Sequence, residues 1–333
     1  MNSKLTGKNI LFIGPETFNY EKEIVGEMES LGAQVVYRSD KPGNAFLLKA
    51  ILRLFPRILW GYSDHVFKQW LSLYGPPDCD VVLVIKGEGL SPKFIDFLKK
   101  KYANAKFIFY LWDSISNVRN VKLKLSKFDH LYSFDPRDCE RDRRLKYRPL
   151  FFLERYRSSE KNHGSGCFFI GTLNGDRPAV IARLIRSLPK NIEFNYWLFV
   201  RNKIELFFRR FFDSSLRRLD QTRLLNSPML SAVVSQNFQH SAAIVDIEHP
   251  NQVGLTMRTF EVLASGKKLI TTNKNIFHHD FYHPSRICII DRSNPRLDPD
   301  FFDYEAVPLP DSFYSKYSLQ GWLLELLESV PKN

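Results

Sequence analysis

The side chains of this chain best suited to chemistry lie in 252–273, QVGLTMRTFEVLASGKKLITTN, where a polar loop opens a helix that ends at Gly266 and feeds an apolar strand. A helix N-terminus presents unpaired N–H groups and the positive end of the helix dipole, so such a mouth attracts phosphate or carboxylate. Gln252 and Gly254 stand in the loop, and Gly254 permits close backbone approach. Thr256 or Thr259 can cap the helix or bond a ligand. Arg258 and Glu261 are three residues apart and so share a helix face. The planar fork of Arg258 suits a phosphate, while Glu261 can accept hydrogen bonds from sugar or ribose hydroxyls. The same two residues would also make an ordinary exposed ion pair. Thr272 and Asn273 fall at the carboxyl end of the strand LITT, where open α/β sheets bind ligands.

Similar strand ends occur earlier. After DVVLVI come Lys86, Gly87 and Glu88, which combine opposite charges with a glycine. After KFIFYL come Trp112 and Asp113, and after HLYSF comes Asp135 beside Pro136, which reads as a helix cap. Asp113, partly shielded by Trp112, is the candidate general base, with Glu88 second. Lys86 and Trp112 are placed on the acceptor side. In the second half, the strand CFFIG is followed by TLNGDRP, so Gly171 would let backbone approach a phosphate and Arg177 would meet it or remain solvated. Neither GxGxxG nor GxxxxGK[ST] occurs there.

These residues need strands and helices in alternation to hold them. Apolar runs at 8–14, 34–37, 80–85, 106–111 and 130–134 alternate with amphipathic stretches at 20–31 and 92–102. A second run follows, with strands at 167–171, 194–200, 242–247, 269–272 and 287–290. This pattern predicts an α/β fold with two parallel, doubly wound Rossmann-like domains facing a central cleft. The domains are read as 1–155 and 166–317, with the polar segment RYRSSEKNHGSG between them as linker and 318–333 as a terminal helix. A chain of 333 residues with 44% hydrophobic side chains can bury two such cores.

No apolar run reaches the ~20 residues of a membrane span, and MNSKLTGKN lacks a signal-peptide core, so a cytoplasmic location is expected. Four scattered cysteines suggest free thiols. His278, His279 and His283 read as a loop rather than a metal site, and no metal or other cofactor is expected. The net charge of +12 favours anionic partners, and without a zinc-finger or RNP motif nucleic acid is not one of them. Segments 44–75 and 207–218 (FFRRFFDSSLRR) mix basic and aromatic residues. Each would either pack on a core or meet another surface: an anionic membrane at its inner face for the first, the acceptor for the second.

The pattern Gly-Leu-Thr-x-Arg-x-x-Glu followed by a small residue, Gly266 and a strand resembles the second domain of GT-B glycosyltransferases, most closely their CgeB-like and polysaccharide-biosynthesis branches. The resemblance implies that Glu261 holds the nucleotide ribose, that Arg258 and the amides near Thr256 face the donor phosphates, and that Thr272 and Asn273 line the sugar pocket. It also implies a terminal helix that crosses back to the first domain and a reaction without a catalytic metal. The retaining members carry a second acid eight positions before the Glu, where this chain has Val253, so an inverting displacement with an Asp base is the reading adopted. The expected activity is transfer of a sugar from a nucleotide donor, as co-substrate, to a glycan or lipid-linked acceptor of a surface polysaccharide such as lipopolysaccharide. The alternatives are a noncatalytic nucleotide-sugar or glycan-binding subunit and a nucleotide-sugar hydrolase or epimerase of the same fold.

Overall fold

A computed structural model describes residues 4–45, 48, 51–52, 54–158, 164–200, 203–227, 229 and 231–328. The chain divides into two compact units, Met1–Phe151 with Ser315–Asn333, and Phe152–Tyr314.

The first unit is built on β1 (Asn9–Gly14), α1 (Tyr20–Ser30), β2 (Gln34–Ser39), α2 (Pro56–Tyr74), β3 (Val81–Ile85), α3 (Pro92–Lys101), β4 (Lys106–Leu111), α4 (Lys122–Leu125), β5 (His130–Ser133), α5 (Pro136–Arg141) and β6 (Leu145–Tyr147). Its six strands are parallel in the order β2-β1-β3-β4-β5-β6. The sequences VVLVI and KFIFYL are apolar at nearly every position because helices cover both faces of the sheet, and β3 is buried at all five residues. Helix starts follow local chemistry. Ser91 accepts from the Phe94 amide at 2.9 Å ahead of Pro92, and Asp135 caps α5 through the Arg137 amide at 3.0 Å, as its position beside Pro136 predicts.

The second unit contains β7 (Cys167–Thr172), α6 (Arg177–Ser187), β8 (Phe194–Phe199), α7 (Lys203–Phe212), α8 (Ser214–Arg218), β9 (Leu224–Leu225), α9 (Ser231–His240), β10 (Ala243–Asp246), α10 (Met257–Ala264), β11 (Lys268–Thr271) and β12 (Ile287–Ile289). Its strands are also all parallel, in the order β12-β11-β10-β7-β8-β9. The two sheets are thus doubly wound, and the fold is α/β with two Rossmann-like domains. The strand order turns back between β1 and β3 in the first sheet and between β7 and β10 in the second.

After α11 (Asp311–Tyr317), the chain ends in α12 (Leu319–Glu328), which packs on the first unit. Trp322, fully buried, lies with its ring 4.8 Å from those of both Tyr110 and Phe151. Buried Arg148 pairs with Glu325 at 2.9 Å. The unit boundaries fall at 151/152 and 314/315. Residues 154–156, which overlap the start of the expected linker, form a 3-10 turn within the second unit, where Tyr156 packs on Phe238. Residues 159–163 of that linker and 329–333 of the terminal segment lie outside the described residues.

Phe67 and Leu71 of α2 are buried against the first core, whereas Ile58, Tyr62, Leu73 and Tyr74 are exposed. Lys49 and Arg53 of the same basic segment lie outside the described residues. Among those described, no helix is long and apolar enough to cross a membrane. Trp322→Ala removes the largest buried side chain of α12 and is expected to cost about 3–5 kcal/mol of stability in urea unfolding. A loss below about 1 kcal/mol would show that α12 contributes little to the first core.

Candidate functional site

In an open parallel sheet, ligands bind beyond the strand carboxyl ends at the point where the strand order reverses. In the second unit that point collects three side chains around Arg292. Its Nε and Nη2 meet the two oxygens of Asp176 at 3.0 and 2.6 Å, and Nη1 donates to Glu248 Oε1 at 2.6 Å and to Thr272 Oγ1 at 3.0 Å. Nη2 also reaches the Glu248 carbonyl at 3.0 Å. Thr272 Oγ1 in turn donates to Glu248 Oε2. Asp176 precedes α6, Glu248 follows β10, and Thr272 follows β11, so three crossovers converge on one guanidinium. Burial raises the Glu248 pKa, while the hydrogen bonds from Arg292 hold Asp176 below the usual carboxylate range.

The mouth of α10 adjoins this network through β10. Thr256 is its N-cap, but the Thr256 and Thr259 hydroxyls both donate to Asp246 Oδ2, at 2.5 and 3.0 Å. Thr256 thus caps the helix, and the anion nearest both hydroxyls is a side chain of the protein itself. Asn273 holds the preceding loop, donating to the Val253 and Gly254 carbonyls at 3.0 and 3.4 Å, and Gln252 donates to the Gly254 carbonyl at 2.9 Å. Arg258 Nη1 lies 4.0 Å from Glu261 Oε2, and its guanidinium stacks 5.0 Å from the Phe238 ring. Buried Arg258 Nη1 has no hydrogen-bond partner within the protein. The pair is not the exposed ion pair of an ordinary helix surface, since Glu261 is only 2% exposed.

Gly171 lies inside β7, and a Cβ there would stand 2.8 Å from Phe169 Cζ and 3.5 Å from Arg177 Nη1, so the position is closely packed. Arg177 opens α6 and donates to the Ile247 and Thr172 carbonyls at 2.8 and 3.0 Å. It ties the end of β7 to the residue after β10 at the reversal point, so it is not a freely solvated loop side chain.

In the first unit a row of alternating charge crosses the ends of β2, β3 and β4. Lys86 Nζ is 4.0 Å from Glu88 Oε2 and 3.8 Å from Asp113 Oδ2, and Lys41 Nζ is 3.9 Å from Glu88 Oε2. Asp113 Oδ1 accepts from the Ser114 amide at 3.1 Å and from Asn117 at 2.9 Å. The apolar shield expected from Trp112 is not what Asp113 meets: the indole turns to Tyr20 and Phe151 and leaves the carboxylate against Lys86.

Lys86 and Gly87 both adopt left-handed backbone, with φ of 63° and 58°, a costly conformation for lysine. Two buried charges hold this bend. Asp40 Oδ2 accepts the Glu88 amide at 2.9 Å, and Lys124 Nζ donates to the Gly87 carbonyl at 2.6 Å. Burial raises the Asp40 pKa and pushes Lys124 down to about 8.

Glu248, Asp176, Asp246, Arg292, Asp40 and Lys124 were not singled out from sequence. The strand-end rule that selected Thr272 reaches Glu248 and Asp40 as well, since each immediately follows a strand or lies two residues beyond it. Among the described residues no three His, Cys, Asp or Glu side chains gather into a metal-binding group. His283 Nδ1 pairs with Ser285 at 2.8 Å, and His279 packs on Phe281.

Neither a family model nor a curated protein matches this sequence. Solved structures do match along almost its full length. Anabaena HepE in complex with UDP and glucose is 11% identical, with 97% of this chain and all of that chain covered at a TM-score of 0.62. Sucrose-phosphate synthase from Thermosynechococcus elongatus is 9% identical, covering 97% and 98% at 0.62. The UDP-GlcNAc 2-epimerase of Methanocaldococcus jannaschii, in complex with UDP-GlcNAc and UDP, is 9% identical, covering 97% and 100% at 0.52. The chain therefore has the two-domain α/β fold of the GT-B glycosyltransferases, a fold shared with a nucleotide-sugar epimerase.

A lysine whose folded pKa lies below its unfolded value opposes folding while it is charged. That opposition is present in full below the folded pKa and is relieved as pH rises from about 8 toward the ordinary 10.5. The stability of the wild type relative to Lys124→Met is thus expected to rise across this interval in urea unfolding. A difference that stays flat with pH would contradict the buried, depressed lysine.

Proposed function

We propose that the protein transfers a sugar from a nucleotide-activated donor to a glycan or lipid-linked acceptor, with inversion, in the synthesis of a surface polysaccharide of the lipopolysaccharide type. The observation that carries this reading is the set of side chains at the second sheet's reversal point, beside a helix mouth with a partly accessible Arg258 and a buried Glu261. In this reading Glu261 accepts the ribose hydroxyls and Arg258 takes up charge on the departing nucleotide. Gln252, Gly254 and Asn273 shape the loop over the donor. Glu248, oriented by Arg292 and Thr272, accepts sugar hydroxyls.

On the first unit Asp113 removes the proton from the acceptor hydroxyl. The acceptor oxygen bonds to the anomeric carbon as the bond from that carbon to the nucleotide phosphate breaks. Lys86 orients Asp113 and, with Trp112, contacts the acceptor, while Glu88 is the second candidate for the base. No metal or resident cofactor enters this scheme. Support for a UDP-type donor comes from neighbours of the same fold solved with UDP, glucose or UDP-GlcNAc. The membrane's cytoplasmic face as the place of action is part of the proposal, and the net charge of +12 supports it.

The epimerase neighbour favours one second reading, a nucleotide-sugar epimerase or hydrolase, which would consume donor without acceptor. Thermal-shift screening of nucleotide sugars, then mass analysis of products with and without candidate acceptors, separates the two. Turnover only with acceptor supports transfer, and turnover of donor alone supports the second reading. Glu261→Ala is expected to abolish donor-induced stabilisation, and unchanged affinity would remove Glu261 from the donor site. For Asp113→Asn we expect transfer to fall about 10²-fold or more with donor binding intact. Full activity in that variant would reject Asp113 as the base.

A further inference from the structure

The aromatic-basic segment at 207–218 was expected either to pack on a core or to form an acceptor-facing edge. Its phenylalanines do not pack on the core. Phe207, Phe208, Phe211 and Phe212 of α7 are 58%, 58%, 63% and 88% exposed, and their spacing places all four on one side of the helix. Among the described side chains of α7, Leu206 packs against the core of the second unit. The rings cluster in water, with Phe207 5.8 Å from Phe208 and 5.1 Å from Phe211. Four neighbouring exposed aromatics on so short a helix form an apolar patch that soluble surfaces normally cover.

We infer that this face of α7 docks on an anionic phospholipid bilayer. The partner is identified by the charges around the rings. Arg210 bonds Gln221 at 2.6 Å, Arg217 donates to the Arg210 and Phe211 carbonyls at 2.8 and 2.9 Å, and Arg218 follows. Aromatic rings flanked by arginines suit the boundary between acyl chains and anionic headgroups, where the rings enter the apolar layer and the guanidinium groups meet phosphate. A second copy of the chain is the poorer fit, because apposing two such faces brings Arg210, Arg217 and Arg218 against their own counterparts.

The helix is also wired to the candidate donor site. Arg209 donates to the Leu173 and Gly175 carbonyls at 3.3 and 2.6 Å, in the loop that leads into Asp176 and so to Arg292. Docking through α7 would hold that loop beside the bilayer, which suits an acceptor carried by a lipid. The inference takes up the membrane-surface part of the proposed function and does not depend on glycosyl transfer.

The test is flotation of the full chain with phosphatidylcholine vesicles, with and without phosphatidylglycerol, at low and high salt. Binding is expected only with phosphatidylglycerol, to weaken with salt, and to fall about tenfold or more in the Phe211→Ser/Phe212→Ser variant. These side chains are exposed, so the variant should keep the thermal unfolding midpoint of the wild type. In a second variant, Phe212→Trp, indole emission should shift to the blue on adding anionic vesicles, beyond any change in the wild type. Equal binding by wild type and double variant, or no flotation by the wild type, would overturn the assignment. So would a lipid-free dimer, seen by light scattering, that the double substitution dissolves. Donor-induced thermal shifts, measured on the same proteins, report on the nucleotide-sugar reading separately: a wild type that binds donor but never floats refutes the docking face alone.

Discussion

Parallel pairing of every strand in both sheets is the constraint on which the rest of the structure depends. It requires each crossover to return over a sheet face, so all carboxyl ends of a sheet lie along one edge and the loops there can share side chains. In the second unit that edge brings Asp176, Glu248, Thr272 and Arg292 together. In the first it aligns Asp40, Lys86, Glu88 and Asp113. Neither group could form on strands of alternating direction, which would send every second loop to the opposite edge.

The two edges are electrostatically different. The second is organised by one guanidinium that satisfies two carboxylates and a hydroxyl, so Glu248 is held rigidly although burial disfavours its charge. The first is a row of longer contacts, 3.8 to 4.0 Å, over a left-handed bend at Lys86 and Gly87. Buried Asp40 and Lys124 stabilise that bend by bonding its backbone, and without them the lysine would relax toward an ordinary conformation. Strain held in place by buried charge is common where a loop must present side chains in one arrangement.

Much of this was legible in the sequence, and the physical reasons are specific. Runs such as VVLVI and KFIFYL are covered on both faces, so their composition alone marks them as strands, and Asp135 before Pro136 marks a helix start. The three-residue β6 and two-residue β9 are too short to leave a pattern. The Arg292 network was not legible because its two carboxylate partners lie 44 and 116 residues away, a proximity that only the sheet order creates. The α7 phenylalanines show a helical period whether they face inward or outward, and the choice between core and surface depends on neighbours the local sequence does not name. Thr256 and Thr259 were correctly seen at a helix start, but their Asp246 partner arrives from the adjacent strand.

In the proposed function the end of the second sheet, between Arg292 and the α10 mouth, receives a nucleotide sugar. A crystal structure of the protein with a UDP-sugar tests it most directly. Ribose hydroxyls are expected within hydrogen-bond distance of Glu261, the diphosphate beside Arg258 and the sugar against Glu248 and Thr272. A well-ordered nucleotide bound away from these residues would contradict it.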